Sequence, residues 1–186
     1  LAKAAGHTVE GEQDEIVVDG IVGHRDAVID GVTIDVKSAS SPSFKKFEKN
    51  ELRVDDPFGY IQQLTGYVYG AKDDPLVTDK TGGAFLVMDK TLGHLCLDYY
   101  DLTPELHLFP SRLVATKMMS TMKTEPHREF ESVPDGKSGN MKLPAACSYC
   151  DYKWNCWKGL RGFSYSNGPT YLTKVINLPK VPEFTE

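Results

Sequence analysis

The sequence is short of cysteine, of long apolar runs and of basic charge. Its 186 residues include four cysteines, too few for a scaffold of this length built on disulfides. It has no apolar run long enough for a transmembrane helix, so we expect no membrane association. The net charge of -5 argues against a protein coated in basic surface. It still leaves room for a basic channel inside an acidic molecule, so nucleic acid stays open as a partner.

The remaining composition is typical of a globular domain. A hydrophobic content of 40% over 186 residues is enough for a real core, and we expect one domain spanning residues 1–186. The chain starts at Leu1, and residues 1–15 lack the basic region followed by an apolar region that is typical of a signal peptide. We therefore expect a truncated or processed start, so that the domain lacks an N-terminal portion.

Strand and helix signals alternate along the chain. Residues 15–38 are rich in Val and Ile and contain Asp-Gly at 19–20 and 30–31, which predicts a three-stranded meander. An aspartate cap followed by Pro57 predicts a helix that extends to about Gly70. The other predicted elements are a short helix within 40–56, a hairpin over 82–102 that turns near 90–93, and a helix from Thr103 that Pro110 kinks or restarts. From Glu125 onward we expect an irregular segment apart from the cysteine segment. This pattern predicts an α/β fold with a central mixed β-sheet flanked by helices.

Two aspartates face each other in the predicted meander. If residues 30–31 form a two-residue turn, Asp26 lies opposite Asp35, and His24 lies opposite Lys37. Like charges placed opposite each other destabilise a sheet by up to about 1 kcal/mol. A divalent cation between the carboxylates reverses that repulsion, because Mg²⁺ prefers oxygen ligands. The pattern favours a metal site, and the alternative is a hairpin face whose charges are merely solvated.

A lysine and a polar helix face extend this candidate site. Lys37 shares a strand face with Asp35 and can position a nucleophile or offset negative charge on a scissile phosphate. On the following helix Tyr60, Gln63 and Tyr67 project together, and such a face can contact a strand of nucleic acid. The alternative is an ordinary half-buried aromatic face. The apolar side of that helix is expected to carry Phe58, Ile61, Leu64 and Val68.

Three short motifs occur in a characteristic order. "GHRD" at 23–26, "DVK" at 35–37 and "QLTGY" at 63–67 resemble the G-x-x-D, D/E-x-K and Q-x-x-x-Y signature of the PD-(D/E)xK nuclease superfamily. The last motif is typical of the RecB-like exonuclease branch, which includes lambda-type phage exonucleases and CRISPR-adaptation exonucleases. The resemblance covers about residues 15–70, and it implies a restriction-endonuclease-like core.

The resemblance also implies roles for individual residues. Mg²⁺ or Mn²⁺ would be held by Asp26, Asp35 and the backbone carbonyl of Val36, with Lys37 as the catalytic lysine. DNA near the active site would be contacted by Gln63 and Tyr67, and we add Tyr60 because it shares their helix face. Two further residues, His24 and Glu15, are candidates for an additional contact to metal or phosphate.

Three of the cysteines cluster in residues 145–158. Cys147, Cys150 and Cys156 form C-x2-C-x5-C, which is one ligand short of a zinc or [4Fe-4S] site. The segment resembles a RecB-like subset in which a fourth cysteine upstream of G-x-x-D completes a [4Fe-4S] cluster. No cysteine precedes Gly23 here. Either the fourth ligand belongs to an absent N-terminal portion, which we favour, or Cys96 substitutes, or the site is incomplete. Zinc is the alternative cofactor, and three reduced structural thiols are the alternative to any metal.

The resemblance implies a metal-dependent DNA exonuclease that hydrolyses phosphodiester bonds. We expect it to act in phage or bacterial recombination or DNA end processing, in the cytoplasm of a bacterium or a phage-infected host. DNA is the expected partner, together with a recombination or single-strand-binding protein. The alternatives are a non-catalytic DNA-binding or scaffold module with a nuclease fold, and a structure-specific endonuclease.

Overall fold

The chain divides into two compact units. A computed structural model describes residues 1–125 and 127–185. The first unit spans Leu1–Thr121 and contains all three nuclease-like motifs, and the second spans Met122–Glu186 and contains the cysteine segment. The expectation that both act as a single nuclease domain stays a prediction.

The first unit is built around a five-stranded mixed sheet. Its elements, after a short 3-10 helix at Lys3–Ala5, are β1 (Val9–Glu10), β2 (Glu15–Val18), β3 (Ile21–His24), β4 (Ala27–Ile29), β5 (Val32–Ala39), α1 (Ser41–Glu48), α2 (Tyr60–Gly70), β6 (Gly82–Asp89), β7 (Leu95–Asp101) and α3 (Thr103–Thr121). The strand order is β1-β4-β5-β6-β7, with β5 and β6 parallel and the other neighbours antiparallel. The predicted α/β class with a central mixed sheet flanked by helices is confirmed.

The main core lies where α1 and α2 pack on one face of this sheet. Both helices contact β5 and β6. The core consists of Ala39, Phe44, Phe47, Leu52, Ile61, Leu64, Val68, Phe85, Val87, Tyr100 and Leu102. Side chains alternate between the two faces of a strand, so the β5 residues directed toward α2 are Asp35, Lys37 and Ala39. The polar side chains of Asp35 and Lys37 therefore lie against an apolar core.

The predicted three-stranded meander is wrong, although both of its Asp-Gly turns are right: Asp19 and Gly20 join β2 to β3 with positive φ values of 50° and 82°. Asp30 and Gly31 form the β4–β5 turn with positive φ values of 48° and 81°, and Ile29 pairs with Val32 as predicted. The ladder stops at the pair Ala27–Ile34, because Arg25, two residues before Ala27, is fully buried and held by ion pairs. Strand β3 consequently leaves the sheet and pairs with β2 alone.

Because the β4–β5 ladder ends at Ala27, one predicted cross-strand pair does not form. His24 lies opposite Glu15 in the β2–β3 hairpin, so its predicted place opposite Lys37 is wrong. Asp26 lies one residue before β4 and meets β5 through its side chain.

Helix α2 begins three residues later than predicted. The Asp56 carboxylate accepts hydrogen bonds from the backbone N–H groups of Tyr60 and Ile61, both at 2.9 Å, so the predicted aspartate cap is present. Gly59 adopts a left-handed conformation with φ of 70°, which places Pro57 and Phe58 outside the helix. Ile61, Leu64 and Val68 are buried as predicted, but Phe58 is 47% exposed, so its predicted place on the buried side is wrong.

The second unit is a second antiparallel sheet, where an irregular segment was predicted. Its elements are β8 (Val133–Pro134), β9 (Met141–Lys142), α4 (Ala145–Ser148), α5 (Lys153–Cys156), β10 (Arg161–Tyr165), β11 (Gly168–Lys174) and β12 (Glu183–Phe184). The strand order is β12-β10-β11-β9-β8. The Pro- and Gly-rich composition marks the ends of short strands, and Ser166 and Asn167 form the two-residue loop between β10 and β11, where Tyr165 pairs with Gly168. Among the helices of both described ranges, none has the length and apolar character of a membrane span.

Candidate active site and cysteine loop

The two motif aspartates meet at β5. Asp35 lies in the middle of that strand and is 3% exposed. Asp26 Oδ2 accepts a 2.6 Å hydrogen bond from the backbone N–H of Val36, and its Oδ1 accepts one of 2.9 Å from Gln13 Nε2. Burial raises the pKa of Asp35, the Lys37 ammonium lowers it, and the negative charge of Asp26 raises it again. The pair is therefore electrostatically unfavourable, as the sequence predicted.

Lys37 connects this pair to α2. Its Nζ lies 2.7 Å from Asp35 Oδ2 and donates a 3.1 Å hydrogen bond to Gln63 Oε1. Gln63 Nε2 in turn donates to the Tyr67 hydroxyl at 3.0 Å. The Lys37 ammonium also lies 4.9 Å from the centroid of the Tyr60 ring. The lysine and the three helix residues predicted from the sequence thus form one connected set.

The glycine of the first motif makes room for the tyrosine of the third. A Cβ atom on Gly23 would lie 2.9 Å from Tyr67 Cε1, closer than such atoms approach in real structures. Gly23 is in β3, which carries the chain toward Asp26. The G-x-x-D and Q-x-x-x-Y motifs are therefore in direct contact.

We expect Gly23→Ala to displace the Tyr67 ring and, through Gln63, to loosen Lys37. DNA cleavage should fall by about 10-fold or more, the size typical of losing a group that orients an active-site residue. Val22→Ala is the matched control, because Val22 is exposed on the same strand. Cleavage rates of the two variants, with circular dichroism to verify folding, test this; equal rates would mean that the contact has no role.

The other two candidate residues form a separate pair. His24 Nε2 lies 4.0 Å from Glu15 Oε2 across the β2–β3 hairpin, and both side chains are more than half exposed. The structure thus places His24 beside Glu15 rather than beside Lys37. A role for this pair in binding metal or phosphate stays a prediction.

Two residues that support Asp26 were missed by the sequence analysis. Gln13 has a left-handed backbone with φ of 60°; besides its side-chain bond, its backbone N–H donates to the Asp26 carbonyl at 3.2 Å. The Arg25 guanidinium lies 2.7 Å from Asp14 and 2.6 Å from Asp74. No sequence pattern indicates that the arginine of "GHRD" is buried rather than exposed. The contact between Gln13, which lies in a loop, and Asp26 has no sequence signal either.

The cysteine segment forms a compact loop in the second unit. Cys147 lies in α4 and Cys156 ends α5, and the Cys150 N–H donates to the Cys147 carbonyl at 3.2 Å. All three thiols are free. Burial raises the pKa of Cys147, a hydrogen bond from Trp157 lowers it, and the thiols of Cys156 and Cys150 raise it again. The pKa of the Cys147 thiol is thus affected by both of the other cysteines of the segment.

The chemistry of the two sites fits different metal ions. Asp35 Oδ2 has an ion-pair contact with Lys37, yet it takes part in no hydrogen bond of acceptable geometry. A buried carboxylate beside a second one suits Mg²⁺ or Mn²⁺, which take one or two carboxylates plus water and phosphate. The cysteine loop offers three soft ligands. Within the described residues, no three His, Cys, Asp or Glu side chains converge on a point that could hold a metal ion.

Cys96, the alternative fourth ligand, belongs to the first unit. It lies in β7, where burial and the charges of Asp98 and Glu48 raise the pKa of its thiol. The predicted strand location is confirmed.

No protein-family model matches the chain, and a search of curated proteins finds no significant match. The motifs and the geometry around β5 and α2 are therefore the observations that bear on function.

Proposed function

We propose that the chain is a metal-dependent deoxyribonuclease that degrades DNA from its ends. The observation that carries this proposal is the connected set of Asp26, Asp35, Lys37 and Gln63 around β5 and α2. A buried acid, Asp35, next to the partly exposed Asp26 and beside a lysine is costly for stability and suits phosphodiester hydrolysis. The resemblance of the three ordered motifs to RecB-like exonucleases supports the same activity.

In this proposal each residue has a distinct task. The metal ligands are Asp26, Asp35 and the Val36 carbonyl, and a bound Mg²⁺ or Mn²⁺ supplies Lewis acidity for the phosphate and the attacking water. The ammonium group of Lys37 orients the water and offsets charge that develops on the phosphate. Gln63 holds Lys37 in place and, with Tyr67, contacts the DNA backbone.

The test is nucleotide release from end-labelled linear single- and double-stranded DNA in the presence of Mn²⁺. A covalently closed circle, a sample with excess chelator and the Asp35→Asn variant are the controls. Degradation of linear DNA alone supports an exonuclease. Cleavage of the circle would make the protein an endonuclease. Tight DNA binding without any cleavage would make it the non-catalytic binding module, in which Asp35→Asn changes nothing.

We further propose that the three cysteines of this loop are three of the four ligands of a [4Fe-4S] cluster, with zinc as the alternative. We expect iron and sulfide in anaerobically purified protein, and loss of both in Cys150→Ser. Elemental analysis and visible absorbance measure this. If Cys96 supplies the fourth ligand, Cys96→Ser will also lose iron, and if another segment supplies it, Cys96→Ser will keep its iron. Absence of any metal in the wild-type protein would favour structural thiols.

The biological setting is proposed from the resemblance alone. It is recombination or DNA end processing in phage or bacteria, with a recombination or single-strand-binding protein as the partner. A cytoplasmic location belongs to the same proposal.

A further inference from the structure

A groove in the first unit lies between the β2–β3 hairpin and α3, beside the C-terminal end of α2. Its volume is about 340 Å³, near the lower end of the range typical of small-molecule sites. Its walls are mainly apolar and are formed by Val17 and Val18 of β2 and by Pro110, Leu113 and Val114 of α3. Val17 and Val114, one on each wall, are 54% and 55% exposed. The groove therefore leaves apolar surface in contact with water, which a ligand of matching shape would cover.

Three contacts fix the walls of this groove relative to one another. The ring of Tyr69 on α2 packs against the ring of Phe109 on α3, with centroids 5.0 Å apart. A Cβ atom on Gly70 would overlap side chains of β2, so α2 and β2 are in close contact there. Lys117 Nζ lies 2.6 Å from Asp19 Oδ2, which joins α3 to the β2–β3 turn. Each wall is thus joined to the other two, and the groove is formed before a ligand arrives.

The unbalanced charge at the groove is positive. Two charged side chains line it, Asp19 and Lys72. Asp19 is neutralised by its ion pair with Lys117, whereas Lys72 has no carboxylate partner among residues 1–125 and 127–185. The next residue, Asp73, does not line the groove. The Lys72 ammonium lies 5.9 Å from the centroid of the Tyr69 ring, so a cation and an aromatic surface are available side by side.

We infer that this groove is a binding site for a small organic acid whose apolar part is an aromatic or branched aliphatic group. The apolar part would lie between the valine and leucine side chains of the two walls, and the acid group would face Lys72. A neutral ligand of the same shape would forgo the contact with the ammonium, and a cationic ligand would be repelled by it. The site is separate from the acid pair at β5, and the inference is independent of the proposed nuclease function.

The first test compares two fluorescent dyes on the full chain without DNA or metal. 8-Anilinonaphthalene-1-sulfonate is an aromatic anion, and N-phenyl-1-naphthylamine has the same rings without the sulfonate. We expect the anionic dye to bind at one site per chain. Val114→Gln should weaken both dyes by about 10-fold, because it places an amide in an apolar wall. Met119→Gln is the matched control, since Met119 is 52% exposed on the same helix and does not line the groove. Equal binding by Val114→Gln and the wild-type protein would refute the site.

The role of the lysine is tested by a second substitution. Lys72→Gln should weaken the anionic dye by about 10-fold and leave the neutral dye within about 2-fold of wild type. Lys90→Gln is the control, because it removes the same charge from an exposed lysine at the β6–β7 turn. If Lys72→Gln weakens both dyes equally, or neither, the preference for an acid is refuted.

The ligand class is tested with a matched acid and amide. N-acetylphenylalanine should displace the anionic dye at about 10-fold lower concentration than N-acetylphenylalaninamide, and this difference should vanish in Lys72→Gln. The acid should also slow amide hydrogen exchange in β2 and α3 of the wild-type protein but not of Val114→Gln. Protection confined to other elements would place the site elsewhere and refute the inference. Thermal unfolding of each variant near the wild-type temperature verifies that the fold is intact.

Discussion

Asp35→Asn should reduce DNA cleavage by about 10²- to 10³-fold or more. The substitution preserves the shape of the side chain and removes the charge that would hold a divalent ion between Asp35 and Asp26. Binding of Mn²⁺, measured by electron paramagnetic resonance without DNA, should weaken in parallel. Undiminished cleavage in this variant would place the active site elsewhere in the chain.

The same substitution should leave the stability of the metal-free protein within about 1 kcal/mol of wild type. Two effects oppose each other. Asparagine relieves the cost of burying a charge next to Asp26, but it also removes the ion-pair partner of Lys37. Lys37 keeps its hydrogen bond to Gln63. Chemical unfolding followed by circular dichroism measures the difference, and a large loss of stability would mean that the lost activity reflects misfolding.

Asp98→Asn is the matched control, because Asp98 is also 3% exposed and lies in the same sheet. Its two carboxylate oxygens accept 2.7 Å hydrogen bonds, one from Asn50 and one from the Tyr100 hydroxyl. Burial raises the pKa of Asp98, and both hydrogen bonds lower it. Asp98 is thus a satisfied structural carboxylate, whereas Asp35 is not. We expect Asp98→Asn to keep its cleavage activity.

The parts of this site that could be predicted from the sequence are those set by local periodicity. The two-residue period of a strand places Asp35 and Lys37 on one face, and the helical period brings Gln63 and Tyr67 together. Their meeting across β5 and α2 was expected from the family resemblance, and Lys37 Nζ does bond to Gln63. Contacts of this kind depend on residue types and spacings that a sequence displays directly.

One error comes from interactions between residues distant in the chain. The predicted register extended the β4–β5 ladder beyond Ala27, but the burial of Arg25 between Asp14 and Asp74 ends that strand. A second error is local, because the left-handed Gly59 moves the start of α2 and exposes Phe58. In the second unit, β8, β9 and β12 have two residues each, which is too short for a periodic signal, and the abundance of Pro, Gly and Ser led to the prediction of an irregular segment.

Arg25→Met should destabilise the first unit by about 3 kcal/mol, the lower end of the range for breaking a buried ion pair. The methionine retains much of the apolar volume but leaves two carboxylates without their cation. Asp14 is nearly half exposed and can be hydrated, which limits the cost, whereas Asp74 is less exposed. Both tryptophans lie in the second unit, so their fluorescence follows that unit. Amide hydrogen exchange in β4 and β5 follows the first.

The pH dependence of this loss has a definite sign. Partial burial raises the pKa of Asp74, but the Leu76 N–H and Arg25 outweigh it and hold the pKa below its usual value. The stability that this carboxylate contributes is therefore present above the usual carboxyl pKa and is lost as the pH falls through the lowered one. The difference between wild type and Arg25→Met should be full at neutral pH and shrink in acid. A difference independent of pH would mean that packing, rather than charge, holds the strand.

Arg25 also connects stability to the candidate site. Its backbone N–H donates to the Asp14 carbonyl at 3.1 Å, and the neighbouring Gln13 bonds to Asp26 through both backbone and side chain. Loosening Arg25 should therefore free the Asp26 carboxylate and weaken Mn²⁺ binding even where the protein remains folded. Asp74→Asn is the control, because it breaks the ion pair farther from Asp26 in sequence and keeps the Asp14 contact. If Arg25→Met loses stability but retains full Mn²⁺ affinity, the arginine supports the fold and not the position of Asp26.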